Sequence, residues 1–418
     1  MPYINQTQYM DIGSSLYQIS ESTTASSLEE EYINFSQSNS SDHYRFTSPS
    51  GLNKIDRVII SVSKPKIIDR TLNKHAIYTV QGMDAKGNFE IERRYKDFTA
   101  LRSVLIQHWP GCFIPQLPSK QILGNLDPDF IEERRAILDF FLKRTSGLSP
   151  IYNSEEFQQF IRNPNDFYRL ASEMKRRSFK DIADIYQNEF LDYYIDQDSH
   201  DNEQVIDNSY RAFKACLELF GQFEEVCKRN QECYERKMRE SERLFRELGE
   251  INLKYAKCFG VREIRFQNLS KPVNPYKGLL DWIKLEILDL NAMIEAILRS
   301  YEYEKFLERA VEKLHNEKSS MQSFQQNKKS FISFISMKSK EKKMFHMENS
   351  ILYSETDVNS LTIIRKILVS KQSKNDIPLF KNQKAKKYEL SLCKFFSSCI
   401  KDHLQLEDFL KSILQSLN

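Results

Sequence analysis

The chain has 418 residues, which is enough for two or three domains at roughly 150 residues each. Hydrophobic residues make up 40% and charged residues 28%, so a sizeable core can form and wholesale disorder is excluded. The formal net charge is only +3, which argues against a dedicated nucleic-acid-binding protein but leaves room for local basic patches. Only 11 glycines and 12 prolines occur, a scarcity that favours helix.

Motifs that carry catalytic or metal chemistry are missing from the sequence. The seven cysteines show no C-x-x-C spacing and no supporting histidine pair, so neither a metal site nor another cofactor is predicted. No G-x-S-x-G, P-loop, H-E-x-x-H or kinase motif occurs, which predicts a protein that is not an enzyme. Without a signal peptide or a run of about 18 apolar residues, we expect a cytoplasmic protein that meets membranes only from their surface.

The N-terminal part divides into a polar tail and a small mixed domain. Residues 1–52 are rich in Ser, Thr, Asn and Gln and predict a disordered tail. Three β-rich runs predict a three-stranded antiparallel sheet: 57–64, 75–84 and 89–95. Three helical patterns complete an α+β domain over 53–165: 97–109, 126–147 and 153–163.

The segment 166–200 links this domain to the rest of the chain. An approximate helical stripe of apolar residues runs through it: Phe167, Leu170, Met174, Ile182 and Ile185. Four cationic residues lie in the middle and are candidates for membrane contact: Lys175, Arg176, Arg177 and Lys180. Two interpretations are equally open, namely an amphipathic helix that inserts into a membrane and a linker helix that packs on the helical domain.

Residues 201–418 follow a helical period almost throughout. Apolar residues recur at spacings of three and four, for example over 244–258 and 283–301, which predicts long helices packed as coiled coils. Breaks are predicted at 271–278 and between 319 and 381, which leaves three long helices, the first of about 50 residues and ~75 Å. Single helices of this length are rarely stable alone, so dimerisation or bundling is expected.

The stretch ERRYKDF at 92–98 lies between the last predicted strand and the first predicted helix. Side chains alternate along a strand, so Arg94 and Tyr95 face one ligand only if the strand ends there. Taken alone, an arginine pair is more often solvated surface charge. However, Lys120 ends a proline-rich loop and Arg134 is a cation on an apolar helical stripe. Because guanidinium groups match phosphate geometry, these residues together predict an anion site.

Three segments carry a resemblance to a known family. ERRYKDF, FIPQLPSKQ and DPDFIEERRAILDFFL, in this order, closely resemble the phox-homology (PX) domains of sorting nexins, over residues 53–165. The resemblance implies binding of a phosphoinositide headgroup, by default phosphatidylinositol 3-phosphate. It also implies that Arg93, the first arginine of the pair, is structural.

The family's headgroup contacts transfer to this chain by motif. Arg94 would bind the 3-phosphate and Tyr95 would stack on the inositol ring. Lys120 would contact the 1-phosphate, and Arg134 would contact the ring hydroxyls. Two apolar residues beside the proline-rich loop are further candidates for contact with the bilayer: Ile122 and Leu123.

The order of a PX-like domain and three long helices is similar to the sorting nexins that carry a BAR domain. The implied fold is an α+β PX domain followed by an all-α, three-long-helix BAR-type coiled-coil domain over 201–418. Residues 312–343 hold eight Lys against three Glu, a basic patch with four candidate membrane contacts: Lys338, Lys340, Lys342 and Lys343. A second basic run follows: Lys381, Lys384, Lys386 and Lys387. The alternative is that these charges only solvate helix faces.

The resemblance therefore implies a peripheral protein of the early endosome membrane. It would bind phosphatidylinositol 3-phosphate and anionic lipid, sense or induce curvature, and serve endosomal sorting and retrieval. The expected partners are a second helical chain in a homo- or heterodimer and cargo or retromer-like proteins, but no nucleic acid. The alternative is a PX-anchored coiled-coil tether or fusion factor that does not bend membranes.

Overall fold

The computed structural model describes residues 58–63, 65–70, 73–118, 127–195, 200–262, 274–327 and 337–417. The predicted tail over 1–52 lies outside these residues. Lys120, Ile122 and Leu123 also lie outside them.

Four strands form one antiparallel sheet: β1, Ile59–Val62; β2, Lys66–Arg70; β3, Asn73–Asp84; and β4, Gly87–Arg94. The twelve-residue β3 is the centre of the sheet, and β4 pairs along one of its edges. The turn between them ends at Gly87, whose φ of 102° is readily accessible only to glycine. Strands β1 and β2 share the other edge of β3.

The sheet has one strand more than the three predicted, because a bulge divides the first edge in two. Val62 pairs with Val80, and Lys66 pairs with Ile77. The chain therefore advances by four residues on this edge while β3 advances by only three. The extra residue is a β-bulge. Pro65 lies in this interruption and has no N–H to continue the ladder.

Helices of the N-terminal domain cover one face of the sheet: α1, Tyr95–His108; α2, Pro128–Ser146; α3, Ser149–Tyr152; and α4, Glu155–Arg162. The core between helices and sheet includes Tyr78, Phe98, Leu138 and Phe160, each fully buried. Burying a side chain of this size contributes about 1.5–3 kcal/mol relative to leaving it in water. The apolar faces predicted from the period of the sequence therefore meet in one core.

The linker forms three short helices: α5, Phe167–Glu173; α6, Phe179–Glu189; and α7, Leu191–Ile195. Its apolar stripe packs inwards, with Phe167 and Ile182 buried in the core. Leu170, Met174 and Ile185 are half-buried, and the last two contact the same core. This packing favours the linker interpretation over a membrane-inserting helix, because the residues that would enter a bilayer are already covered.

Long helices form the rest of the described chain: α8, His200–Phe259; α9, Pro275–Asn327; α10, Met337–Lys371; and α11, Ile377–Leu417. At 60 residues, α8 is about 90 Å long, given the 1.5 Å rise per residue of an α-helix. It runs parallel to α11, with Phe213 beside Phe380 and Phe245 beside Phe409. None of the described helices is apolar over a sufficient length to cross a membrane.

The predicted break between 319 and 381 is wrong over most of its length. Helix α9 extends to Asn327 and α10 begins at Met337, and a π-helical turn, Gln372–Asp376, joins α10 to α11 without interruption. The Ile377 N–H bonds to the Gln372 carbonyl oxygen across the wider turn. Pro378, which suggested the break, directly follows this turn. Because a π-turn relaxes the regular bonding ladder, it accommodates a residue without an N–H.

Candidate anion-binding site

The end of β4 separates the two adjacent arginines. Arg93 is buried, and its guanidinium donates to the carbonyl oxygens of Phe160 at 3.0 Å and Asn163 at 2.5 Å. Carbonyl groups at the end of a helix have no partner within it, so Arg93 satisfies the C-terminal end of α4. Burial lowers the pKa of Arg93 from its ordinary value, while Asp97 and Asp166 oppose that shift. Arg93 is therefore a structural residue.

Arg94 is the N-cap of α1 and is exposed. Its backbone N–H donates to the Asp97 carboxylate at 2.8 Å, which satisfies one of the free donors at the helix start. The strand thus ends at the arginine pair, which is the condition for Arg94 and Tyr95 to face one ligand. Within the described part of the chain, the Arg94 guanidinium has no carboxylate partner and remains free for a ligand.

Tyr95 is the first residue of α1, and it connects the junction of β4 and α1 to the proline-rich loop. Its hydroxyl donates a short hydrogen bond to the Pro118 carbonyl oxygen. Burial raises the pKa of Tyr95 above its ordinary value, and the positive charge of Arg134 opposes that rise. The phenol is therefore protonated at neutral pH and is a permanent donor to the loop.

Arg134 projects from α2 into the same region and is 6% exposed. Its guanidinium lies 4.4 Å from the centre of the Tyr95 ring and 4.3 Å from that of Phe130. Nε and Nη2 are buried and have no hydrogen-bond partner among the described residues. Two ring contacts contribute about 0.5–2 kcal/mol each, which is small against the cost of burying an unpaired charge. The arrangement favours an anion or a set of hydroxyl groups beside Arg134.

Of the four predicted headgroup residues, the structure brings Tyr95 and Arg134 into contact, and the exposed Arg94 directly precedes Tyr95. The fourth, Lys120, lies outside the described residues. Two aromatic residues of the site were not predicted. Phe130 precedes Arg134 by four residues, and this spacing places both on one helix face. Tyr78 is fully buried; burial raises its pKa, and the nearby Arg134 charge opposes that rise. The alternating pattern of β3 predicts that Tyr78 is buried, but it does not predict that Tyr78 lies near Arg134.

The four linker cations have different surroundings. Lys175, Arg176 and Lys180 are exposed. Arg177 donates to Glu156 at 2.6 Å and to the His108 carbonyl oxygen at 3.3 Å, and it lies 5.6 Å from the Trp109 ring. Arg177 thus fastens the linker to the N-terminal domain, which leaves the other three as candidates for a membrane surface.

The two basic runs of the helical domain also differ. Lys338 and Lys340 lie in the first turn of α10, and Lys342 and Lys343 are exposed further along it. In the second run, Lys384 contacts Glu286 at 2.9 Å and also binds Asp289. Burial lowers the pKa of Lys387, with Arg144 acting in the same direction. Lys384 and Lys387 therefore belong to the domain junction, whereas Lys381 and Lys386 of the same run are exposed.

Comparison with known proteins identifies the N-terminal domain. The PX domain family profile matches residues 81–164. Vacuolar protein sorting-associated protein vps5 of Schizosaccharomyces pombe is 32% identical over 108 residues, 24% of this chain and 19% of that protein. Sorting nexin MVP1 of Candida glabrata is 34% identical over 147 residues, 34% of this chain and 27% of that protein. The N-terminal domain is thus a PX domain, and the chain is similar to sorting nexins over a quarter to a third of its length. The matches span 19% and 27% of these curated relatives.

The predicted fold class is confirmed, apart from the additional strand. Its PX region combines the antiparallel sheet with α1–α4, and long helices make up the rest of the described chain. The cryo-EM structure of the SNX-BAR Mvp1 tetramer aligns with 86% of this chain and 100% of that chain, at 16% identity and a TM-score of 0.45. Among the described residues, no group of three or more His, Cys, Asp and Glu is arranged to hold a metal.

Proposed function

We propose that this chain is a sorting nexin of the PX–BAR type that binds phosphatidylinositol 3-phosphate on the cytoplasmic face of early endosomes. Its helical domain would sense or induce curvature during sorting and retrieval, with cargo or retromer-like proteins as further partners. The observation that carries the proposal is the buried Arg134 guanidinium, which has two N–H-bearing nitrogens without a described partner and stacks on Tyr95. The proposed role requires no catalytic step.

The chemistry of the site suits a phosphorylated ring. The exposed Arg94 supplies a charged fork, which binds phosphate oxygens through two parallel hydrogen bonds. The Tyr95 ring offers a flat face for the inositol, and the buried Arg134 supplies donors for its hydroxyl groups. Lys120 remains the predicted partner of the 1-phosphate, and Ile122 and Leu123 remain the predicted bilayer contacts.

A vesicle-binding assay with the full chain tests the headgroup proposal. Vesicles of phosphatidylcholine and phosphatidylserine, with and without phosphatidylinositol 3-phosphate, are compared for wild type, Arg94→Ala and Arg169→Ala. Loss of a charge-assisted hydrogen bond costs about 1.5–3 kcal/mol, so Arg94→Ala should weaken the lipid-dependent binding about 10- to 100-fold. Arg169 is an exposed arginine paired with Glu173 at 3.0 Å and serves as the matched control.

Two results would contradict the headgroup proposal. The first is equal binding of the wild-type protein to vesicles with and without the 3-phosphorylated lipid. The second is lipid-dependent binding by Arg94→Ala that equals that of Arg169→Ala. Other phosphoinositides in the same panel then show whether the 3-phosphate is the preferred ligand.

The helical domain is proposed to pair with a second copy of itself. Helix α9 begins near Tyr234 of α8, since Tyr276 lies 6.3 Å from that ring. Beyond this point α8 and α11 continue as a pair, with Phe245 packed on Phe409 at 4.8 Å. Large apolar side chains are exposed along this part of both helices: Leu244, Leu248, Ile251, Tyr255, Leu404, Leu410 and Leu414. An apolar face of this extent is typical of an interface between subunits.

Sedimentation of the purified chain tests the pairing. We expect a dimer at micromolar concentration and a monomer for Leu248→Asp, because a carboxylate is costly in an apolar interface. A matched exposed substitution on the same helix, Arg243→Asp, should leave the dimer intact. A wild-type monomer would overturn the homodimer and indicate a different helical chain as partner.

Electron microscopy of vesicles separates curvature induction from the tethering alternative. A PX–BAR protein that bends membranes should draw vesicles containing phosphatidylinositol 3-phosphate into tubules. A tether would instead cluster vesicles without changing their shape. The Leu248→Asp variant should lose either activity if the dimer is required for it.

A further inference from the structure

The loop over 110–118 lies between the PX domain and the helical domain. Gly111 has φ 73°, and a Cβ atom at this position would lie 2.6 Å from a methyl group of Leu368 on α10. Two residues later, Phe113 is buried in the helical domain, with its ring 5.9 Å from Phe380. The first half of the loop is therefore held by residues that do not belong to the PX domain.

Gln372, at the start of the π-turn, binds this loop directly. Its side-chain amide donates to the Gly111 carbonyl oxygen at 2.9 Å and to the Ala296 carbonyl oxygen of α9 at 3.1 Å. The residue is 1% exposed, so water does not compete for either hydrogen bond. One side chain thus fixes the separation of the PX loop, α9 and the π-turn.

Glu295 of α9 holds the middle of the loop. Its carboxylate accepts hydrogen bonds from Arg102 at 2.5 Å and from Gln116 at 3.2 Å. Arg102 in turn donates to the Pro115 carbonyl oxygen at 2.7 Å. The loop is tied to the helical domain both through its own Gln116 and through Arg102 of α1.

The far end of the loop reaches the headgroup site. The Pro118 carbonyl oxygen accepts the hydrogen bond from the Tyr95 hydroxyl, and the Tyr95 ring stacks on Arg134. A continuous set of contacts therefore leads from Gln372 and Glu295, through the loop, to the aromatic ring of the site.

We propose that Gln372 and Glu295 are positioning residues for the phosphoinositide site, although both belong to the helical domain. This proposal rests on the proposed function. By fixing the loop before the ligand arrives, the helical domain lowers the ordering cost of binding, and the loop presents Pro118 to Tyr95 in one geometry. Headgroup binding and docking of the PX domain on the helical domain are consequently coupled, and the coupling acts in both directions.

The test measures the affinity of the full chain for soluble dibutanoyl phosphatidylinositol 3-phosphate by calorimetry. A soluble ligand removes membrane contacts and dimer avidity from the result. Gln372→Leu and Glu295→Gln should each weaken binding about three- to tenfold, the loss expected for one or two hydrogen bonds. Lys284→Gln is the matched control, because the Lys284 ammonium pairs with Glu133 at 2.6 Å across the same junction without contacting the loop.

A double-mutant cycle with Tyr95→Phe distinguishes positioning from a general structural effect. Tyr95→Phe removes the donor to Pro118, so the loop no longer acts on the ring through that bond. Gln372→Leu should then weaken binding less in the Tyr95→Phe protein than in the wild type. Additive effects of the two substitutions would overturn the proposed route through the loop.

Hydrogen exchange provides an independent readout of the same coupling. The soluble ligand should slow amide exchange at 372–377 in the wild type and leave it unchanged in Glu295→Gln. If Gln372→Leu lowers the melting temperature below the assay range, the partly exposed Glu295 decides the outcome.

Failure of this inference differs from failure of the proposed function. If the wild type does not bind the soluble lipid, the proposed function fails. If the wild type binds, Arg94→Ala does not, and both Gln372→Leu and Glu295→Gln bind as the wild type does, only the positioning role is overturned.

Discussion

The domain junction and the proposed headgroup site both contain a buried arginine, but only the arginine at the junction is paired with a carboxylate. At the junction, Arg144 of α2 pairs with Asp289 of α9, and Lys384 of α11 approaches the same carboxylate. At the headgroup site, Arg134 lies three turns earlier on α2 with two rings and no carboxylate within the described residues. Removing the counter-ion of a buried charge destabilises the fold, whereas a buried charge without a counter-ion is a candidate for binding an anionic ligand.

The largest expected effect concerns the paired charge. Asp289→Asn removes the carboxylate that pairs with the buried Arg144, while Lys384 keeps its second partner, Glu286. Removing one partner of a buried pair costs about 3–5 kcal/mol in the free energy of unfolding. Urea denaturation measures the loss. Glu173→Gln, which breaks an exposed pair with Arg169, should change stability by less than about 0.5 kcal/mol. Equal effects of the two substitutions would remove the contrast between buried and exposed pairs.

The next effect concerns the unpaired charge. Arg134→Met keeps the apolar contacts with Tyr95 and Phe130 but removes the hydrogen-bond donors. The free energy of phosphoinositide binding should therefore become less favourable by about 1.5–3 kcal/mol. The free energy of unfolding should stay the same or rise, because an uncompensated buried charge is costly. Vesicle binding and urea denaturation of one preparation measure both quantities. A large loss of stability would place Arg134 with the paired, structural arginines.

Lowering the pH provides a second test of the paired charge at the domain junction. Burial opposes ionisation of Asp289, but Arg144 and Lys384 outweigh it and hold its pKa below the ordinary value of 3.8. The unfolded chain therefore takes up this proton first as pH falls. The stability from Asp289 is complete above about pH 5 and is lost progressively as pH falls towards the folded pKa. Asp289→Asn should lack this part of the acid loss, and urea denaturation at pH 7 and pH 3.5 measures it.

The smallest expected effect concerns an exposed charge on α10. Lys343→Ala should weaken binding to anionic vesicles by about 1 kcal/mol, the contribution of one lysine near a charged membrane surface. The loss should disappear at high salt, since exposed charges are screened. Lys237→Ala, an exposed lysine of α8, is the control. Equal losses from both substitutions would indicate general attraction by net charge and not a lipid contact on α10.

Local patterns in the sequence predicted much of the architecture. The alternation of β3 and β4 and the three helical stripes of the PX domain follow from neighbouring residues. The structural role of Arg93 was implied by the family resemblance, and its hydrogen bonds to α4 agree with it. Strand β2 was missed because a bulge and Pro65 interrupt the pattern. The partners of Arg144 and Lys384 come from residues about one hundred or more positions away, and no local pattern encodes that distance.

The candidate site was predictable in its residues but not in its surroundings. Motifs indicated Arg94, Tyr95 and Arg134, and the structure places Arg134 on the ring of Tyr95, next to the exposed Arg94. The anchoring of the neighbouring loop by Gln372 depends on contacts across 261 residues of sequence. Only the folded chain places a π-turn of one domain beside a loop of the other.

The π-turn also sets the rotational phase of the final helix. Before it, Leu361, Ile364 and Leu368 point into the PX core, whereas Ile377 and Phe380 after it point into the core shared with α8 and α9. One extra residue in a helix rotates everything that follows by about 100°. Deleting a single residue from this turn would restore regular bonding, yet it would rotate the apolar row of α11 away from α8. The length of this short segment therefore decides which side of the last helix is available to a second copy of the chain.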